Sequence, residues 1–221
     1  MAILAAFVSA CGQQLPDPVP LAEPAELANQ LQVVPEQPQL ITFKWRYRGR
    51  DGRFSGDGGV RVNPPDSVRL DLLGPGWSGV QSAVLLEGRV IYMGEQRITL
   101  PPHTFLWTAL GVFRPPADVR PQGASRGERT ELTYRLSELQ EITFAFDGQG
   151  RLIEAALKLD DDVIEEIKLT FPDESGATGS WAAPMEARYR DLVGFHEINI
   201  EVEEVKPHEP FEARIFGAAN R

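Results

Sequence analysis

Three histidines, an acidic run, a glycine-rich tetrapeptide and a single cysteine are the features of this 221-residue chain with the makings of chemistry. His103, His196 and His208 are far apart and none sits in a metal-binding spacing such as HExxH, so they read as structural or surface histidines. No GxSxG nucleophile elbow occurs. Gly56–Gly59 spells GDGG, but a phosphate loop needs a lysine and a following helix, and a bent strand is the better reading. Asp160, Asp161, Asp162, Glu165 and Glu166 offer the oxygen ligands that calcium favours, without the glycine or the spacing of an EF-hand loop. Three aspartates at a hairpin tip read as a solvated turn. The expectation is a non-enzymatic protein with no catalytic residue, no metal and no cofactor.

Cys11 is the only cysteine, which excludes an intrachain disulfide and a multi-cysteine metal site. Its position is informative. Residues 3–8 are a short apolar run, and Ser9 and Ala10 precede the cysteine, in the manner of the lipobox read by lipoprotein signal peptidase. The run is too short to span a bilayer, so residues 1–11 are expected to be a signal peptide that ends at a lipidated Cys11. A signal peptide has a basic start, and nothing between Met1 and Cys11 is basic, which fits a true start further upstream. Residues 12–28 are polar and proline-rich, as in an extended tether. Several acyl chains at roughly 0.8 kcal/mol per buried methylene anchor a protein where one chain would not. Gly12 is not the aspartate of an inner-membrane retention signal, so the periplasmic side of the outer membrane is the expected location.

The rest of the chain must supply one folded unit. An apolar content of 42% suffices for one core, and the formal charge of -10 repels phosphate backbones, so nucleic acid is excluded as a partner. The expected divisions are a domain over 29–205 and a tail over 206–221.

Period-2 alternation dominates from about residue 41, the pattern of a sheet with one wet and one buried face. Phe43, Trp45 and Tyr47 point one way, with Lys44, Arg46 and Arg48 opposite. Further strands are expected over 53–63, with a bulge or bend at its glycines, then near 68–72, 79–86, 90–93, 132–136, 142–146, 152–159, 163–171, 185–191 and 195–205. Between Pro101 and Pro116 alternation stops, and Phe105, Leu106, Ala109, Leu110 and Phe113 fall at helical spacing, with Thr104 as a possible cap. Residues 117–129 read as a surface loop. The fold expected is mainly β: a single antiparallel, strongly curved half-barrel of about eleven strands, with one or two short helices on its concave side.

Large apolar side chains gather on the inner face: Phe43, Trp45, Tyr47, Leu70, Leu72, Leu86, Tyr92, Tyr134, Phe144, Phe146, Ile198 and Ile200, joined by Phe105 and Leu110 of the helix. Most are core. One curved sheet under so little helix leaves its concave side sparsely filled, which makes room for an apolar ligand.

This layout resembles the lipoprotein-localisation superfamily, the half-barrels of LolA and LolB type. The stretches that carry the resemblance are VRLDLLGPGWSGVQSAVL at 68–85, FLWTALGVF at 105–113, YRLSELQEITFAFDGQGRL at 134–152 and PMEARYRDLVGFHEINIEV at 184–202. The resemblance is nearest to the outer-membrane acceptor type. It implies a half-barrel lidded by helices that binds acyl chains of lipids or lipoproteins, with a periplasmic carrier protein as a partner. It also implies a membrane-contact loop after the third strand, matched here by residues 74–78 with Trp77 as the large apolar residue. The alternative is an assembly lipoprotein that holds a protein partner and no lipid.

Overall fold

A computed structural model of the chain describes residues 17–74, 80–86, 88–94, 96, 98–172 and 180–217. Cys11 and Trp77, and with them the expected lipidation site and membrane-contact loop, lie outside the described residues. In chain order the elements are β1 (Val19–Pro20), α1 (Pro24–Gln30), β2 (Gln39–Gly49), β3 (Gly52–Asn63), β4 (Ser67–Leu73), β5 (Val80–Leu86), β6 (Arg89–Met93), α2 (His103–Thr108), β7 (Gln122–Arg126), β8 (Arg129–Arg135), β9 (Gln140–Phe146), β10 (Leu152–Leu159), β11 (Asp162–Thr170), β12 (Glu186–Asp191) and β13 (His196–Pro207). A 3-10 turn, Ala213–Phe216, follows.

The strands form one antiparallel sheet in the order β1-β7-β8-β9-β10-β11-β12-β13-β2-β3-β4-β5-β6. It consists of two meanders, β2 to β6 and β7 to β13. Pairing of β13 with β2 joins them, Ile200 opposite Trp45 and Ile198 opposite Tyr47. The ends β1 and β6 do not pair with each other, so the sheet stays an open half-barrel. Short turns between consecutive antiparallel strands leave this arrangement as the simplest burial for alternating sequences.

Alternation sets the inner face. Along β2, Ile41, Phe43, Trp45 and Tyr47 are buried while Lys44, Arg46 and Arg48 are exposed. Of the bulge or bend expected in β3, the bulge is absent: the register with β2 is unbroken from Gly52 to Val62. Gly58 is needed for another reason. It lies opposite Phe43, and a Cβ there would come within 2.3 Å of that ring. The indole of Trp45 crosses the same strand and donates to the carbonyls of Asp57 (3.0 Å) and Leu73 (3.2 Å).

Three other expectations are corrected. The sheet has thirteen strands rather than about eleven, because β7 forms inside the stretch read as a loop and pairs with β1. Residues 17–28, read as flexible tether, hold β1 and the start of α1, whose Ala28 is buried and whose Pro24 sits where a missing N–H costs nothing. Residues 206–221, read as a tail, begin inside β13, and Phe216 of the 3-10 turn is buried where that turn meets β4 and β5. Arg69 donates to the carbonyl of Ile215 at 2.9 Å and fixes that contact.

Candidate ligand slot beneath α2

The concave side is closed by α2 and the turn after it. Phe105, Leu106, Trp107 and Thr108 are all buried, and Phe113 packs edge-on against Phe144 and Phe146, with ring centroids 4.8 and 5.1 Å apart. Pro102 occupies the cap position expected for Thr104, and Thr108 instead bonds back to the Thr104 carbonyl at 3.0 Å. The helix stops where Gly111 takes a φ of 70°, and a Cβ there would press on the Ala182 carbonyl at 2.9 Å.

Between this lid and the sheet lies an apolar cavity of about 40 Å³. Strands β2 to β5 contribute Ile41, Phe43, Val60, Val68, Leu70 and Leu85, and β13 contributes Ile200 and Val202. Leu106, Ala109 and Leu110 form the roof, with Ala183 and Pro184 at one side. Every lining residue is apolar. Polar contacts tie the roof down: the Trp181 indole donates to the Leu110 carbonyl at 3.0 Å, and Arg114 bonds to the Pro65 carbonyl, pairs with Asp66 at 2.9 Å and lies over the Trp107 ring. Sites for drug-sized ligands occupy about 300–1,000 Å³, so the slot as it stands is much smaller than one of these.

The structure divides the residues expected to line a cavity. Phe43, Leu70, Leu110 and Ile200 line the slot. Trp45, Tyr47, Leu72, Phe105, Tyr134, Phe144, Phe146 and Ile198 are buried in the core around it. Leu86 and Tyr92 differ from expectation. Alternation in β5 turns Leu85 inward, which leaves Leu86 on the other face, and Tyr92 is 42% exposed because β6 is an edge strand with no neighbour beyond it among the described residues. The small residues Val60, Val68, Ala109 and Ala183 were missed, and it is their size that leaves the void.

Several of the polar groups weighed for chemistry have structural partners. His103 accepts from the Trp107 indole at 3.0 Å, and burial with the nearby Arg114 charge lowers its pKa. His208 stacks on Phe211, ring centroids 4.2 Å apart. His196 is buried between Tyr47 and Tyr189, and desolvation holds its pKa down against the pull of Asp191. The acidic run is split. Asp160 and Asp161 make a turn at positive φ, Glu165 accepts from Tyr189 at 2.7 Å, and Glu166 pairs with Arg190. Burial raises the Glu165 pKa. Among the described residues no group of three or more His, Cys, Asp or Glu is placed to hold a metal ion. None of the described helices is long and apolar enough to cross a membrane.

An open antiparallel half-barrel, roofed by one short helix over an all-apolar slot, is the class of fold that the chain adopts. Solved structures give that class a name. A LolA-superfamily protein of Nitrosomonas europaea matches with a TM-score of 0.55 at 13% identity, over 90% of this chain and 97% of the other. A domain assigned to outer-membrane lipoprotein sorting from Vibrio parahaemolyticus matches with a TM-score of 0.53 at 8% identity, over 86% of this chain and 94% of the other. The chain therefore has the LolA-type half-barrel fold. No protein-family model matches its sequence, and no curated protein does either.

Proposed function

We propose that this protein is a lipid-anchored, non-enzymatic binding protein of the periplasmic face of the outer membrane. It takes an acyl chain of a lipid or lipoprotein into the slot beneath α2 and acts in lipoprotein sorting or insertion. The observation that carries the reading is the slot itself, whose lining is apolar throughout. Affinity would come from apolar burial at roughly 25 cal/mol per Å², less the cost of lifting the helix. Photo-crosslinking tests it: a fatty acid with a diazirine near its methyl end should label peptides containing Leu106, Leu110 or Pro184. Labelling spread over the outer face with none at these residues would refute the slot.

A second reading is favoured by the small cavity. With about 40 Å³ of free space, the barrel can be a finished core that holds a protein partner instead. The β6 edge, with Ile91 and Tyr92 exposed, offers an unpaired strand for β-addition. In that case no acyl chain enters, and an added strand protects the β6 amides from hydrogen exchange.

A further inference from the structure

The end of the half-barrel where β12 turns into β13 and β2 into β3 carries features that the slot does not use. The turn over 192–195 exposes three large apolar side chains, Leu192 at 40%, Val193 at 64% and Phe195 at 64%. Their exposure is not required by the turn. Asp191 accepts from the backbone N–H of Val193 at 2.9 Å and of Gly194 at 2.5 Å, which fixes the loop without them. Phe195 also sits at a φ of 55°, a conformation where glycine or asparagine is at ease and a bulky ring is strained. Phe195 is thus both exposed and strained.

Cations surround this tip. The Arg50 guanidinium lies 4.7 Å from the Phe195 ring centroid. On the adjoining outer face, Arg46, Arg48, Arg53 and Arg188 line a trough of about 630 Å³ against the carboxylates of Glu186 and Glu197. Arg188 pairs with Glu197 at 2.7 Å and Arg46 with Glu201 at 3.4 Å. Arg48 stands directly opposite Arg53 in the β2–β3 ladder, where like charges repel. In a chain of net charge -10 this is a local concentration of arginine, offset in part by Glu186, Glu197 and Glu201. Elsewhere on the same rim the described turns carry Glu138, Asp160 and Asp161 with Arg135 beside them, and Asp51 and Asp191 flank the arginines of this corner.

We propose that this corner docks on a bilayer containing anionic phospholipid. Leu192, Val193 and Phe195 enter the apolar edge of the interface, and Arg48, Arg50 and Arg53 meet headgroup phosphates, which guanidinium binds in a bidentate fork. An acidic protein partner would satisfy the arginines and leave the three apolar side chains unexplained. A wholly apolar partner would strand the arginines. A bilayer surface accounts for both, and the proposal stands independently of the acyl slot.

The test is co-sedimentation of the full chain carrying Cys11→Ser, so that no acyl anchor intervenes, with vesicles of phosphatidylglycerol and phosphatidylethanolamine or of phosphatidylcholine alone. Binding should be about tenfold or more stronger to the anionic vesicles and should fall steeply with salt. Arg48→Glu combined with Arg53→Glu should abolish that preference. Phe195→Asn should weaken binding while the melting temperature stays level or rises, because asparagine tolerates the left-handed backbone. Fatty-acid uptake should be unchanged in both variants, which separates this surface from the slot. The proposal is overturned if the parent binds both vesicle types equally, or if the folded variants bind as the parent does. It is also overturned if a poly-glutamate peptide binds the trough while anionic vesicles do not.

Discussion

Leu110→Ala tests whether the void beneath α2 is a ligand site. Leu110 is buried, forms part of the roof, and gives only its backbone carbonyl to Trp181, so truncating the side chain leaves that hydrogen bond in place. Losing three buried carbons at about 0.8 kcal/mol each costs roughly 2.4 kcal/mol, and the enlarged cavity brings the total to about 3 kcal/mol. In a domain of this size that lowers Tm by roughly 6–12 °C. A ligand present at about 100 times its Kd returns some 2.7 kcal/mol to whichever protein binds it. The widened slot admits a chain with less displacement of α2, so the rise in Tm with palmitate should be larger for Leu110→Ala than for the parent. Leu132→Ala is the control, since Leu132 is fully buried in the second meander and does not line the slot. It should lose comparable stability with no gain in response. Thermal unfolding followed by circular dichroism reads all three proteins. An equal palmitate shift in parent, Leu110→Ala and Leu132→Ala would refute the reasoning.

Three further outcomes follow from individual contacts. The Tyr134 hydroxyl is buried with no hydrogen-bond partner among the described residues and its pKa is pushed up to about 12 by desolvation, so Tyr134→Phe should raise stability by about 1–2 kcal/mol in urea unfolding. Burial lowers the His196 pKa below its unfolded value, so the folded state favours the neutral ring: stability is present above about pH 6.5 and is lost as pH falls through the lowered pKa. His196→Phe, which keeps a ring between Tyr47 and Tyr189, should flatten that acid limb in a pH series of melting temperatures. Gly58→Ala should cost about 1–3 kcal/mol and weaken fatty-acid uptake together, because the new methyl displaces the Phe43 ring that walls the slot. A loss of stability with uptake unchanged would detach Phe43 from the site.

What could be read from the sequence follows from where its information is local. Alternation in Ile41 to Tyr47 and in Leu132 to Phe146 marks buried faces directly, since each strand needs only its own period to declare which side is wet. The role of Gly58 was not legible, because it depends on a ring from the neighbouring strand. Strands β1 and β7 were missed since VP and QGASR are too short to show a period, and each depends on a neighbouring strand, β1 on β7 and β7 on β8. The slot lies at the seam between β13 and β2, which joins the last strand to the first long one and appears in no local pattern. Large residues were therefore counted as cavity lining when most of them fill the core. Small ones such as Val60 and Ala109 leave the space.

The most direct measurement of the central claim is native mass spectrometry of the protein purified from a bacterial periplasm, before and after incubation with palmitate or a diacyl lipopeptide. The account predicts a single stoichiometric acyl adduct that is lost when Leu70→Trp or Ile200→Trp fills the slot. A clean ligand-free mass that takes up neither compound would contradict it and leave the half-barrel a closed core that acts by holding a protein partner.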